Sequence, residues 1–193
     1  NWSNLTYYLN ADYNLKGRYF LSLNMALDGS TRFGEDASSI NLFDTSFGFF
    51  PSLTGAWLIS AEDFMAGYDK VDLLKLRLSY GLTGNDDIGN YAARLHYTSQ
   101  SFLGSYGVVL GQIANNKLQW ETVAKANLGF DLAMFDERLT LSFDAYRNTT
   151  RDMLALTPTQ AYSGFDYYLA NSGKLVNDGF EVAVTGRLVN ARD

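Results

Sequence analysis

The feature that most constrains the fold of this chain is an alternation of apolar and polar residues that recurs in seven segments. In the clearest segment, Leu139, Leu141, Phe143 and Ala145 are separated by polar residues. Successive side chains of a β-strand point to opposite faces, so each segment predicts a strand with one apolar and one polar face. The predicted strands are 5–13, 19–27, 46–60, 74–80, 124–132, 138–145 and 180–188, of which 46–60 alternates least clearly.

The connections between these segments alternate in length along the chain. The short connections are 16–17, 61–72 and 135–137, and the long ones are 28–45, 84–120 and 150–175. Transmembrane β-barrels have short turns on one side of the membrane and long loops on the other. Unstructured loops longer than about 12–15 residues are uncommon in compact soluble domains. The pattern therefore favours an antiparallel transmembrane β-barrel segment over the alternative, a soluble β-sandwich.

The composition argues against several classes of protein. Fifteen Lys and Arg against 21 Asp and Glu give a net charge of −6, so we expect no nucleic-acid partner. The chain has no cysteine, which excludes disulfides, thiolate zinc sites and a cysteine nucleophile. No apolar run approaches the ~20 residues of a membrane-spanning helix. The high aromatic content suits the girdles of a membrane barrel, or reflects the preference of Tyr and Phe for strands.

Patterns of catalytic or metal-binding residues are missing from the sequence. The single histidine, His96, lies in the predicted loop 84–120 without a G-x-S-x-G motif, which argues against a serine hydrolase. The pair Asp86 and Asp87 lacks the spaced oxygen ligands of a calcium loop. We therefore expect no catalytic residue, no metal ligand and no cofactor. An outer-membrane enzyme is the least favoured hypothesis.

Five strings of the chain resemble, in the same order, strings of the SusC/RagA family of TonB-dependent outer-membrane transporters. They are 27–34 (LDGSTRFG), 50–60 (FPSLTGAWLIS), 74–85 (LKLRLSYGLTGN), 118–122 (LQWET) and 171–181 (NSGKLVNDGFE). Leu27 departs from the arginine that is usual in the family, and 114–117 lacks the proline common before the Trp-Glu pair. No single string is specific, but together they span most of the chain.

The resemblance implies that residues 1–193 form the C-terminal part of a plugged barrel of roughly 22 strands, with the plug and the closing C-terminal strand outside this chain. Seven strands alone cannot close a barrel, since single-chain bacterial barrels have an even strand number. The implied function is active import of oligosaccharides or peptides across the outer membrane of a Gram-negative bacterium. The implied partners are outer-membrane lipid, a SusD-like surface lipoprotein and TonB, the last reached through other parts of the protein. The alternative is a soluble β-sandwich glycan-binding module.

The long loops contain the candidate ligand-contact residues, because loops on a rigid scaffold usually carry binding functions. The candidates are Trp120, Tyr97, Tyr106, Tyr162, Tyr167 and Tyr168. The alternative is that these aromatic side chains pack the loops against one another. Asp28, Gly29 and Ser30 predict a loop-shaping turn, with contact of Asp28 to a glycan or a metal as the alternative. Trp57 is expected in the barrel wall or an aromatic girdle.

The alternation also predicts which residues contact lipid. The apolar set of each strand is expected to face outward and the polar set to face the barrel lumen. On this assignment, Leu141→Asp is expected to impair membrane assembly, whereas Ser142→Asp on the opposite face is expected to be tolerated.

Overall fold

A computed structural model of the chain describes residues 2–37, 40–42 and 45–187, and β-strands dominate it. The strands are β1 (Asn4–Leu15), β2 (Tyr19–Ser30), β3 (Ile40–Leu42), β4 (Thr45–Leu58), β5 (Val71–Asn85), β6 (Tyr97–Phe102), β7 (Ser105–Leu110), β8 (Glu121–Met134), β9 (Leu139–Arg151), β10 (Leu154–Pro158), β11 (Tyr167–Asn171) and β12 (Lys174–Gly186). Short 3-10 turns occur at Ile59–Ala61, Asp63–Met65 and Ala161–Ser163. No helix among the described residues is long and apolar enough to cross a membrane.

Seven long strands form one antiparallel sheet in which each strand lies beside the long strand that precedes it. Their order is β1-β2-β4-β5-β8-β9-β12, and the short β3 pairs with β4. Within the described ranges, β1 and β12 each pair on one side only, so this part of the sheet is open. A β-sandwich would need a second large sheet packed on the first. The two further sheets in the described residues are two-stranded hairpins, which gives no support to that alternative.

The seven predicted strands are confirmed, and so is the alternation of short and long connections between them. Most of the strands extend a few residues beyond the predicted bounds, but β4 ends at Leu58, and Ile59 and Ser60 of the predicted strand 46–60 belong to a 3-10 turn. Leu188, at the end of the last predicted strand, lies outside the described residues. So do positions 38–39 and 43–44 of the predicted loop 28–45.

The shortest connections are built from left-handed backbone. Lys16 and Gly17 have φ of 55° and 67°, and the Gly17 N–H donates to Asn14 Oδ1 at 2.9 Å. Residues 135–137 have φ of 60°, 56° and 57°. Positive φ at the centre of a tight hairpin matches the twist of the two strands that it joins. These turns fix the register of β1 against β2 and of β8 against β9.

The cross-strand register separates an apolar face from a polar face, as the alternation predicted. One row of paired residues on the apolar face is Leu15, Tyr19, Trp57, Leu76, Phe130, Phe143 and Val182. A row on the polar face is Asp12, Ser22, Thr54, Ser79, Asn127 and Tyr146. Large side chains such as Leu78 and Phe180 are 60% and 73% exposed on the apolar face. An exposed apolar surface of this extent marks a face that contacts something other than water.

Two expectations about the loops are corrected by the structure. The long connections contain strands of their own, namely β3, the β6–β7 hairpin and the β10–β11 hairpin. The segment Asp28–Ser30 was expected to form a turn but belongs to β2. The strand continues because Ser30 pairs with Asn4 on one side and with Ser46 on the other, which satisfies its backbone on both edges.

Candidate functional site

The main sheet splits at the end that carries the long loops. The β4–β5 ladder ends at the pair Ser52–Gly81, although β4 continues along β2 and β5 continues along β8. The ring of Phe50 lies in this split, where a Cβ on Gly84 or Gly48 would come within 2.1 Å or 2.4 Å of it. Both glycines are therefore needed, because a side chain at either position would displace the ring.

A small hydrophobic core lies above the split, at the base of the loops. The Trp120 ring packs 4.8 Å from the Phe33 ring and 5.4 Å from the Phe50 ring, and its Nε1–H donates to the Ser46 carbonyl at 3.3 Å. Leu118 beside it is fully buried. The whole cluster comprises Phe33, Ile88, Ala93 and Leu118, with Ala92, Trp120, Leu154 and Leu169 packed against it. These contacts favour the packing role for Trp120 over ligand contact.

Hydrogen bonds between the long loops make this core a common base for all three of them, namely the β2–β4, β5–β8 and β9–β12 loops. The Asn171 side chain donates to the Gln119 carbonyl at 2.8 Å and accepts from the Gln119 N–H at 2.8 Å. Asn115 donates to the Leu169 carbonyl at 2.9 Å. These bonds join the β5–β8 loop to the β9–β12 loop, and Phe33 contributes the β2–β4 loop to the same core. The loops therefore form one platform above the sheet.

The predicted ligand-contact tyrosines lie on two separate hairpins. Tyr97 and Tyr106 share one face of the β6–β7 hairpin, and both are exposed. Tyr162 and Tyr167 are exposed on the β10–β11 hairpin, where Tyr168 is half-buried. The structure thus brings the candidates together in two groups, and their contact with a ligand stays a prediction.

A polar belt crosses the polar face below the loop platform. We define it as two adjacent rows, of which the first is Asn10, Asn24, Ser52, Gly81, Lys125, Asn148 and Asn177 and the second is Asp12, Ser22, Thr54, Ser79, Asn127, Tyr146 and Gly179. Within these rows, Asp12 and Lys125 are the charged residues. The belt is therefore a surface of amides and hydroxyls, with donors and acceptors in close alternation.

A pocket of about 260 Å³ lies at one end of this polar belt, beside the split. Tyr8, Asn10, Asn24, Asp28 and Ser52 contribute to its lining. Asn10 Nδ2–H donates to Asn24 Oδ1 at 2.5 Å, and the Tyr8 side chain is 85% exposed. The sequence predicted Tyr8, Asn10 and Asn24 only as polar residues of alternating strands, and contact of Asp28 with a glycan only as the alternative to a turn. The sequence signal for this pocket was limited to Tyr8 and Asn10 at alternate positions of one strand and Asn24 on the polar face of the next strand.

An ionic clamp fixes three strands next to the polar belt. Arg77 Nε lies 2.7 Å from Asp131 Oδ2, and Arg77 Nη2 lies 3.0 Å from Asp144 Oδ2. Ser142 Oγ–H also donates to Asp131 at 2.9 Å. Arg77, Gly129 and Asp144 are opposite one another on β5, β8 and β9, so the guanidinium crosses the bare backbone of Gly129. The clamp depends on a glycine at the middle position.

Gly129→Ala is expected to destabilise the folded protein by ~1–2 kcal/mol, because Arg77, Asp131 and Asp144 are only partly exposed and their charged hydrogen bonds would be distorted. The new Cβ would lie 2.6 Å from both Arg77 Cζ and Asp144 Oδ1. The measurement is urea unfolding of the full-length protein. Gly55→Ala is the matched control, because its Cβ meets no atom within 4 Å in the described residues. Equal unfolding midpoints for both variants would contradict this role of Gly129.

A second polar cluster lies at the end of the sheet that carries the short turns. The Glu62 carboxylate accepts hydrogen bonds from the Tyr19 hydroxyl at 2.5 Å, Trp57 Nε1 at 3.0 Å and Arg18 Nη1 at 2.9 Å. The Tyr19 and Trp57 rings stack with centroids 6.2 Å apart on the apolar face. This agrees with the girdle position expected for Trp57. The hydrogen bond from Tyr19, followed by those from Trp57 and Arg18, lowers the pKa of Glu62.

The 59–70 turn is expected to loosen in acid. A lowered pKa means that the Glu62 hydrogen bonds stabilise the fold above the ordinary pKa of 4.5 and are lost as pH falls through the lower folded value. Hydrogen exchange in this turn of the full-length protein should therefore rise below about pH 4. Glu62→Gln should raise exchange already at pH 7 and flatten its acid dependence. Asp63→Asn should change little, because the Asp63 side chain is exposed. An unchanged acid response in Glu62→Gln would exclude Glu62 as the titrating group.

Comparison with known protein families adds the deciding observation. A sequence model of the family described as TonB dependent receptor-like, beta-barrel, matches residues 1–191. This chain belongs to that family. The resemblance carried by the five strings is thereby confirmed, and the open sheet is a segment of a TonB-dependent receptor barrel. The family is one of receptors rather than of enzymes.

Individual relatives cover nearly the whole chain. TonB-dependent receptor P39 of Formosa agariphila is 36% identical over 93% of this chain and 17% of its own length. TonB-dependent receptor SusC of Bacteroides thetaiotaomicron is 29% identical over 98% of this chain and 19% of its own length. A solved structure of the RagAB peptide transporter superposes with a TM-score of 0.85 at 27% identity, over 98% of this chain and 20% of that chain. The chain thus spans about a fifth of the length of these relatives.

Proposed function

We propose that the full-length protein actively imports oligosaccharides or peptides across the outer membrane of a Gram-negative bacterium, with energy supplied through TonB. The observation that carries this proposal is the superposition of the sheet on a chain of the RagAB peptide transporter at a TM-score of 0.85. Sequence relatives named TonB-dependent receptor and SusC support it.

In this proposal the chain forms about seven strands of the barrel wall. The apolar face contacts lipid, which removes exposed side chains such as Leu78 and Phe180 from water. The polar face lines the lumen, through which cargo passes. The short turns lie in the periplasm, and the loop platform lies outside the cell.

The β6–β7 hairpin is the surface that we assign to a SusD-like surface lipoprotein. It extends beyond the loop core, and every residue of both strands is exposed. The tip residues Phe102 and Leu103 are 77% and 90% exposed, and Tyr106 and Val108 add exposed apolar surface on the face of the hairpin opposite Phe102. Exposed apolar and aromatic side chains on a projecting element are typical of a protein-binding site.

Leu103→Asp in the full-length receptor is expected to weaken co-purification of its lipoprotein by more than about tenfold, because it would bury an unpaired charge at the centre of the contact. Leu156→Asp is the matched control, because Leu156 is an exposed leucine on the other hairpin. Equal recovery of the lipoprotein with both variants would remove the β6–β7 hairpin from the interface.

Import itself is tested in cells that carry the full-length receptor and in an isogenic deletion strain. Uptake of labelled oligosaccharides and of labelled peptides is measured in both strains, with and without TonB. We expect uptake of one class to require both the receptor and TonB. Uptake of both classes that is unchanged by either deletion would contradict the proposed function.

A further inference from the structure

The polar belt has the composition of a carbohydrate-binding surface. Its side chains are mainly amides and hydroxyls, and each amide offers both a donor and an acceptor. A sugar presents hydroxyls that donate and accept in the same way. In a transport path, the donors and acceptors that line the wall determine what binds there. The neighbouring Arg77 bonds to Asp131 and Asp144, and Lys125, the cation of the belt itself, does not line the pocket. The residues that line the pocket therefore include no cation for an anionic cargo.

The pocket at the end of the belt adds an aromatic ring to these polar groups. Tyr8 has an exposed ring that can pack on the apolar face of a sugar while its hydroxyl stays available for a hydrogen bond. The Asn10–Asn24 hydrogen bond holds the two amides in one orientation. Asp28 forms no ion pair among the described residues, so its carboxylate is available to accept hydrogen bonds from hydroxyls.

The size of the pocket indicates a subsite rather than a complete binding site. Its 260 Å³ lies just below the ~300–1,000 Å³ of typical small-molecule sites. The pocket suits one unit of a longer molecule whose remaining units lie along the polar belt. A linear oligosaccharide has this form.

We propose that Tyr8, Asn10, Asn24, Asp28 and Ser52 form a binding subsite for one unit of a neutral oligosaccharide on the lumen wall. The inference rests on the proposed import function, because it assigns the polar face to the lumen. It narrows the cargo from oligosaccharides or peptides to neutral oligosaccharides. It also assigns to Asp28, which lies in β2, the glycan contact that the sequence left as the alternative to a turn.

The two adjacent tyrosines of β1 supply a matched test of this subsite. Tyr8 lies on the polar face, whereas Tyr7, 58% exposed, lies on the apolar face. The full-length receptor is purified in detergent as wild type, Tyr8→Ala, Tyr8→Phe and Tyr7→Ala. Binding is measured by calorimetry against maltohexaose, cellohexaose, xylohexaose, laminarihexaose and mannohexaose, and against a pool of neutral hexapeptides. Heat-dependent mobility on gels checks that each variant is folded.

We expect at least one of the five oligosaccharides to bind, with a Kd about fivefold to tenfold weaker in Tyr8→Ala and changed less than about twofold in Tyr7→Ala. Tyr8→Phe should retain most of the affinity, because it keeps the ring. Failure of all five oligosaccharides to bind, or equal effects of Tyr8→Ala and Tyr7→Ala, would overturn the subsite. Binding of the peptides alone would overturn it as well, but the import function would stand. In the separate uptake experiment, the absence of TonB-dependent and receptor-dependent uptake for every labelled cargo would instead mark a failure of the import function.

Discussion

Leu128→Lys is expected to destabilise the membrane-inserted receptor by ~2–4 kcal/mol, the cost of a lysine at the bilayer midplane on the lipid face of a barrel. Leu128 lies near the centre of β8, between Leu78 and Ala145 on the apolar face. Its side chain is nearly half exposed in the open sheet and has no polar partner there. The measurement is urea-induced unfolding of the full-length receptor in lipid vesicles, together with its yield in the outer membrane.

Asn127→Lys is the matched control for this prediction. Asn127 is the preceding residue and lies on the polar face between Ser79 and Tyr146, so a lysine there should cost less than ~1 kcal/mol. It is a better control than Ser142→Asp, because Ser142 donates to Asp131 and a carboxylate there would face a like charge. If Asn127→Lys were the more damaging variant, the assignment of the two faces would be reversed.

Trp120→Ala is expected to open the loop platform, with a local destabilisation of ~2–3 kcal/mol. The estimate lies below the usual ~3–5 kcal/mol for a fully buried tryptophan, because the ring is only partly buried. The change removes the ring contacts with Phe33 and Phe50 and the hydrogen bond to Ser46. The open state should become roughly 30- to 150-fold more populated, and trypsin cleavage after the exposed Lys117 should accelerate in proportion.

Trp2→Ala tests whether that effect is specific to the loop core. Trp2 is also a tryptophan beside the loops, but it is half exposed and is contacted by the Arg32 guanidinium at 3.9 Å. Such a contact contributes roughly 0.5–1 kcal/mol, so cleavage after Lys117 should change only slightly. Comparable acceleration in both variants would show that Trp120 does not hold the platform together.

The strands of the main sheet could be predicted because their two faces have different surroundings. Period-two alternation located all seven, since one face is apolar and the other polar along most of each strand. The β6–β7 hairpin gave no such signal. Its residues are exposed on both faces, and apolar residues such as Phe102, Val108 and Val109 occur on either side.

The candidate site was predictable only in part, because it depends on register between distant segments. Trp120 was selected for its position after a long loop, but its neighbours Phe33 and Phe50 lie far away in sequence. The ionic clamp likewise requires Arg77, Gly129 and Asp144 to be opposite one another on three strands. Alternation assigns these residues to a face, whereas only the ladders place them side by side.

The measurement that tests the central claim most directly is the environment of consecutive β8 residues in the full-length receptor. Spin labels are attached to single cysteines introduced at 126–132 in an otherwise cysteine-free receptor, and collisions with oxygen and with a water-soluble nickel complex are compared in vesicles. If β8 is barrel wall, oxygen collisions should peak at the even positions and nickel collisions at the odd positions. Uniform access to nickel at all seven positions, or the reversed pattern, would contradict a membrane-spanning wall with its apolar face in lipid.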